Sequence, residues 1–280
     1  MTTSGARGVG VWRICGRRLI REAAPDESWH FWADVDEIDL DPACERVAII
    51  GESVARGYLF DPMFVPAGIL ASLLDETLGR GRVQVLDFAR TNAKLPQLLR
   101  TLHETVELRP RAVVIWAGNN WFPLEDLKPH EHPGVAEVIR NGGGALDVRA
   151  HIEELHRRRV RAFLRDAGET LARAGIAGVL VVPEFNLAGW QDPLPEPPPL
   201  GRDARERWTR CRRLLLRALA SSDTIRARAL ADELVSIDGG LGSLGLVTKA
   251  RLTARDEPAR ARALLEDARD AELWPKSPRC

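Results

Sequence analysis

The sequence predicts a doubly wound α/β fold, and three observations carry that reading. Four short runs, 46–50, 83–88, 112–117 and 176–182, are rich in Val, Ile or Leu with little polar alternation. Strands buried on both faces of a parallel sheet look like this. Segments of helical periodicity lie between them, so strand and helix alternate. The 280 residues are 45% hydrophobic and 29% charged, enough for a large core and too apolar for a disordered chain.

Residues 1–45 read as a poorly patterned extension, pinned to the body by Trp29, Phe31 and Trp32. The first strand then enters Gly51-Glu52-Ser53-Val54-Ala55-Arg56-Gly57. Pro66 to Leu78 presents Ile69, Leu70, Leu73, Leu74 and Leu78 along one helical face, and Leu95 to Val106 repeats the pattern with Leu95, Leu98, Leu99, Leu102 and Val106. Val148 to Ala174 reads as a long helix leading into the fourth strand. The proline cluster from Pro193 to Leu200 stops regular structure and stiffens the connection. Beyond it, residues 202–272 are helical, rich in Arg and Ala, with Leu234–Ile237 as the one candidate strand. The stretch from Leu241 to Ala271 splits at Asp256–Pro258, where Pro258 suits a first helical turn. Expected boundaries are therefore 1–45, 46–200 and 201–280.

Forty basic residues balance forty acidic ones, so charge makes no case for nucleic acid, polyanions or a charged membrane surface. Cys15, Cys44, Cys211 and Cys280 are scattered, which argues against a disulfide scaffold or a cysteine zinc site. No apolar run is long enough to span a bilayer, and Met1 to Arg21 lacks the apolar centre of a signal peptide. A cytoplasmic setting is expected.

Polar residues collect where the strands end. Ser53 follows the first strand, in the place where open α/β sheets put ligands. Read alone, the capping of a helix is the preferred reading. The second strand ends in Asp87-Phe88-Ala89-Arg90-Thr91-Asn92, and the third in Gly118-Asn119-Asn120-Trp121-Phe122. Asn side chains there could donate to an oxyanion or simply shape a turn. Ser, Asn and Asn on three successive strand ends are less easily accidental.

The order and spacing of these segments resemble the SGNH (GDSL-type) hydrolases. Gly51-Glu52-Ser53 looks like the first block of that family, usually Gly-Asp-Ser, and Val85 to Asn92 like the second. Ala117-Gly118-Asn119-Asn120 resembles the third, Gly-x-Asn-Asp. The resemblance implies a flavodoxin-like three-layer α/β/α fold with a parallel sheet. It implies Ser53 as nucleophile, and an oxyanion hole from the backbone N–H of Ser53, the backbone N–H of Asn92 and the Asn120 amide. It implies no cofactor. The substrate would be a small-molecule ester or acyl compound. Asn92 stands where the family has glycine, and Trp121 where it has an acid. The match is closest to a bacterial branch carrying tetratricopeptide-like helices, which suits residues 202–272.

One block has no counterpart. The family's base is a histidine in a late Asp-x-x-His, and this chain contains no such motif. Its histidines are His30, His103, His130, His132, His151 and His156. An unactivated hydroxyl is a poor nucleophile, because its proton must leave as it attacks. The base is then expected from another chain or from His130 or His132, or it has been lost. His130-Glu131-His132 could also bind a metal, but no further ligand set follows by spacing, and a solvated loop is the preferred reading. No metal is expected.

Other motifs fail. Gly51-x-Ser53-x-Ala55 lacks the second glycine of a nucleophile elbow, and Gly142-Gly143-Gly144 follows no strand. Trp121, Phe122 and Trp190 could line an apolar pocket, with Trp121 favoured for it and Trp116 favoured for the core. Two readings result: a serine-dependent ester hydrolase or acyl-transfer enzyme, and a binding or scaffold protein of the same fold without turnover. An open sheet edge after the fourth strand, covered by a complementing chain or a second copy, is also expected.

Overall fold

The structure is a computed structural model and describes residues 8–22, 30–118, 121, 131–182, 198 and 200–271. The chain divides into two units, one of residues 1–137 and 151–183, the other of 138–150 and 184–280.

The first unit begins with an antiparallel meander where an unpatterned extension was expected. Its strands are β1 (Gly8–Val9), β2 (Trp12–Cys15), β3 (Arg18–Arg21) and β4 (Glu37–Asp39), paired in that order. Two-residue turns at Gly10-Val11 and Gly16-Arg17 join the first three, each with its glycine at positive φ. Trp12 is fully buried, donates its indole N–H to the Val35 carbonyl at 2.8 Å, and meets Trp32 edge-on at 5.6 Å. Trp32 therefore anchors the segment as expected. Trp29 lies outside the described residues.

The main sheet is parallel. Its strands are β5 (Glu45–Gly51), β6 (Val83–Ala89), β7 (Ala112–Trp116) and β8 (Ala177–Val181), in the order β6-β5-β7-β8. Each lies within one residue, at either end, of its expected run. Side chains alternate between two apolar layers. Ala48, Ile50, Leu86, Phe88, Val113 and Ile115 face a core shared with Leu98, Leu102, Phe163 and Leu171 and with the meander. Ile49, Ala89, Val114 and Trp116 face the opposite core, with Ala55 and Ala67.

Five helices are described between β5 and β8, three of them at segments read as helical from the sequence. They are α1 (Ser53–Arg56), α2 (Pro66–Leu78), α3 (Leu95–Val106), α4 (Pro133–Arg140) and α5 (Ala145–Ala174). Pro66 opens α2, where a missing N–H costs nothing. Gln97 accepts the Lys94 N–H and so caps α3.

The second unit is helical, with α6 (Arg202–Ala220), α7 (Thr224–Asp238), α8 (Ser243–Thr253) and α9 (Pro258–Ala271) packing each on the next. Leu234–Ile237 belongs to α7 and is not a strand. The Asp223 side chain caps that helix by accepting the Arg226 N–H, and Gly239 ends it in the left-handed region. Trp208, Leu215, Ala231 and Leu234 form its core. There the buried Asp238 carboxylate accepts the Trp208 indole N–H and the Gly240 N–H, each at 2.9 Å. Burial pushes that carboxyl above the usual range. No helix among the described residues is long and apolar enough to cross a membrane.

Candidate functional site at the carboxyl rim of the sheet

From β5 the chain moves outward to β6 on one side and returns to β7 on the other, so strand order reverses at the carboxyl ends of β5 and β7. Such a switch point opens a crevice in α/β sheets. β5 delivers Gly51, Glu52 and Ser53 to it.

Gly51 is required by close approach. A Cβ there would lie 2.2 Å from the Trp116 carbonyl oxygen and 2.5 Å from the Ala55 Cβ. Glu52 follows, 1% exposed, with its N–H donated to the Trp116 carbonyl at 3.2 Å. Its carboxylate accepts the Gly118 N–H at 3.2 Å. A buried carboxylate is tolerated only where hydrogen bonds replace water. Here it links the end of β5 to the segment leaving β7. Ser53 is the first residue of α1, half-buried, and its carbonyl accepts the Tyr58 N–H at 2.9 Å. Among the described residues no partner holds its hydroxyl.

Asn92 stands three residues beyond the end of β6. Its segment is tied to the first strand where the Arg90 N–H meets the Gly51 carbonyl at 2.9 Å. Asn92 is exposed with φ +58, a left-handed conformation that suits Gly and that Asn tolerates.

Two further charged groups lie buried beneath the rim. The Arg56 guanidinium donates to the Trp32 carbonyl at 2.9 Å and pairs with Asp61 at 3.2 Å. Asp87 accepts the Ala89 N–H at 3.0 Å. Burial pushes its carboxyl up to about 6, against the lowering effects of that N–H and of Arg56. Sequence reading named neither Asp87 nor Glu52 as a buried acid. The available signal was an acidic residue set inside or at the end of an apolar strand run.

Asn120, the expected side-chain donor, lies outside the described residues, as do Asn119, Phe122, His130 and Trp190. Trp121 is half-buried against Phe163, with 5.5 Å between ring centroids, at the margin of the core. Trp116 is partly buried in the apolar layer that holds Ala55 and Ala67. His132 accepts the Gly134 N–H on Nδ1 at 3.2 Å and packs edge-on against His151 at 5.7 Å. His103 meets the Thr170 hydroxyl at 3.1 Å. Among the described residues no three His, Cys, Asp or Glu side chains gather as a metal-binding group.

A cavity of about 750 Å³ lies at the opposite, amino end of the strands, lined by Arg46, Glu107, Arg109, Arg111 and Gly175 among others. Ser53 and Asn92 do not line it. The carboxyl rim is the candidate site, because open α/β sheets take ligands in the crevice outside the carboxyl ends of their strands, where the strand order reverses.

No protein-family model matches the chain, and no curated protein matches it in sequence. Among solved structures it is similar to the crystal structure of TesA, with 14% identity and a TM-score of 0.31 over 81% of this chain and 97% of that one. It is also similar to the lipase/acylhydrolase from Enterococcus faecalis, with 18% identity and a TM-score of 0.27 over 48% of this chain and 74% of that one. Likenesses this distant identify neither family nor activity, and the functional reading rests on the chain's own rim.

Proposed function

We propose that the chain is a serine-dependent ester hydrolase or acyl-transfer enzyme of SGNH type, with residues 46–200 as its flavodoxin-like catalytic part and 201–280 as a tetratricopeptide-like attachment. One observation carries the reading: Ser53 opens a helix directly after the strand at which the parallel order reverses. In the proposed reaction, Ser53 Oγ bonds to the acyl carbon as its proton passes to a base. The N–H groups of Ser53 and Asn92 and the Asn120 amide stabilise the oxyanion. The alcohol departs with that proton, and water or a second alcohol takes the acyl group. The base is a histidine of a complementing segment, or His130 or His132.

A second reading has support of its own. A hydroxyl that no described residue holds also suits an SGNH-like binding or scaffold protein without turnover. Hydrolysis of a short-chain nitrophenyl ester separates the two. The enzyme reading predicts at most slow turnover by the isolated chain unless His130 or His132 is the base, with any rate abolished by Ser53→Ala and reduced about two to three orders of magnitude by Asn120→Ala. Turnover that Ser53→Ala leaves unchanged would remove it.

A further inference from the structure

The segment that leaves α1 is apolar and projects outward. Between Gly57 and Leu74 the only charged residue is Asp61, and Asp61 is paired with the buried Arg56 at 3.2 Å. Around that neutralised pair stand Tyr58, Leu59, Phe60, Met63 and Phe64, all exposed. Leu59 is 79% and Met63 92% exposed. Contiguous exposed apolar side chains of this size mark an interaction surface.

The segment is also built to hold this shape. The Phe60 and Asp61 N–H groups both bond the Gly57 carbonyl, at 2.9 and 3.0 Å, and the Phe64 N–H bonds the Phe60 carbonyl at 2.9 Å. Gly57 has φ +74, and a Cβ on it would meet the Phe64 carbonyl oxygen at 2.2 Å. Leu59 itself sits at φ +74, where a side chain with a β-carbon is strained. The fold accepts that strain to hold a nearly bare leucine in water. Strain retained without an internal benefit points to function.

We infer that residues 58–64 form a preorganised apolar prong that inserts into the hydrocarbon of an uncharged lipid surface. Three features select that occupant. Side chains as exposed as Leu59 and Met63 are protrusions and cannot be the walls of a groove, so what receives them must yield to their shape. The prong carries no basic residue, which leaves no electrostatic attraction to anionic headgroups. Aromatic residues interspersed with Leu and Met are the composition that settles at a membrane–water boundary. The Tyr58 N–H is bonded to the Ser53 carbonyl, so the prong begins at the proposed nucleophile. Binding nevertheless does not depend on Ser53 being one.

The test is flotation of the full chain with phosphatidylcholine vesicles. The Ser53→Ala protein should float like the wild type, which separates this inference from the catalytic one. A Leu59→Ser/Met63→Ser double variant should partition at least about tenfold more weakly. Ile225→Ser, at an exposed apolar position of the helical unit, should not. Binding should be the same at low and high salt. Leu59→Gly should raise the thermal midpoint by about 2 °C, through relief of the positive φ, while weakening partitioning. Three results would overturn the inference: no flotation by the wild type, binding that salt abolishes, or a dimer in sedimentation that the double variant dissociates. The last would make the prong an interface between copies of the chain.

Discussion

Asp87 is the residue whose environment makes the clearest thermodynamic prediction. Its carboxyl is raised to about 6 because burial disfavours the charged form. Between the unfolded value near 3.8 and the folded value, the folded state holds the proton more often than the unfolded state. Its contribution to stability is therefore fully present below pH 4 and is lost as pH rises through about 6. The loss is ~3 kcal/mol. Denaturant unfolding of wild type and Asp87→Asn across pH 4–8 should show the variant gaining relative to wild type as pH rises. A constant difference would mean that Asp87 ionises normally. Ser53 and Asn92 could be singled out from the sequence because a polar residue after an apolar run is visible as a string. The burial of Asp87 and the bond from Glu52 to Gly118 could not be, because both depend on which strands become neighbours.

The four parallel strands and the helices α2, α3 and α5 were legible for a physical reason. A strand buried on both faces must be apolar throughout, and a helix packed on one side must repeat its apolar positions. The meander was not legible. Its strands are two to four residues long, and β2 and β3 carry arginines, as in Arg18-Leu19-Ile20-Arg21. Only the two-residue glycine turns at Gly10 and Gly16 signalled it. Leu234–Ile237 shows the opposite ambiguity. Three apolar residues and a serine fit strand or helix equally, and the Asp223 and Gly239 caps decide for the helix. β8 supplies the prediction at this scale. It pairs with β7 alone among the described residues, and Val179 and Leu180 are exposed. Its amides should exchange with solvent about a hundredfold faster than those of β5, which has a strand on each side. Equal protection would show that another segment or chain covers the edge.

Across the whole molecule, the two units raise different questions. The helical unit is explained by its own packing, with Trp208 and Asp238 joined at its centre. The sheet unit holds a serine at a switch point, a neighbouring loop at positive φ and a buried carboxylate linking two strand ends. What remains is whether the hydroxyl reacts, and the missing Asp-x-x-His suggests how to ask. Free imidazole can stand in for an absent base. The decisive measurement is peptide mass mapping after exposure to a fluorophosphonate, with and without imidazole. The account predicts one adduct, on the peptide that carries Ser53, forming faster as imidazole is added and missing from Ser53→Ala. Labelling at other serines at the same rate, or none at Ser53 even with imidazole, would contradict it.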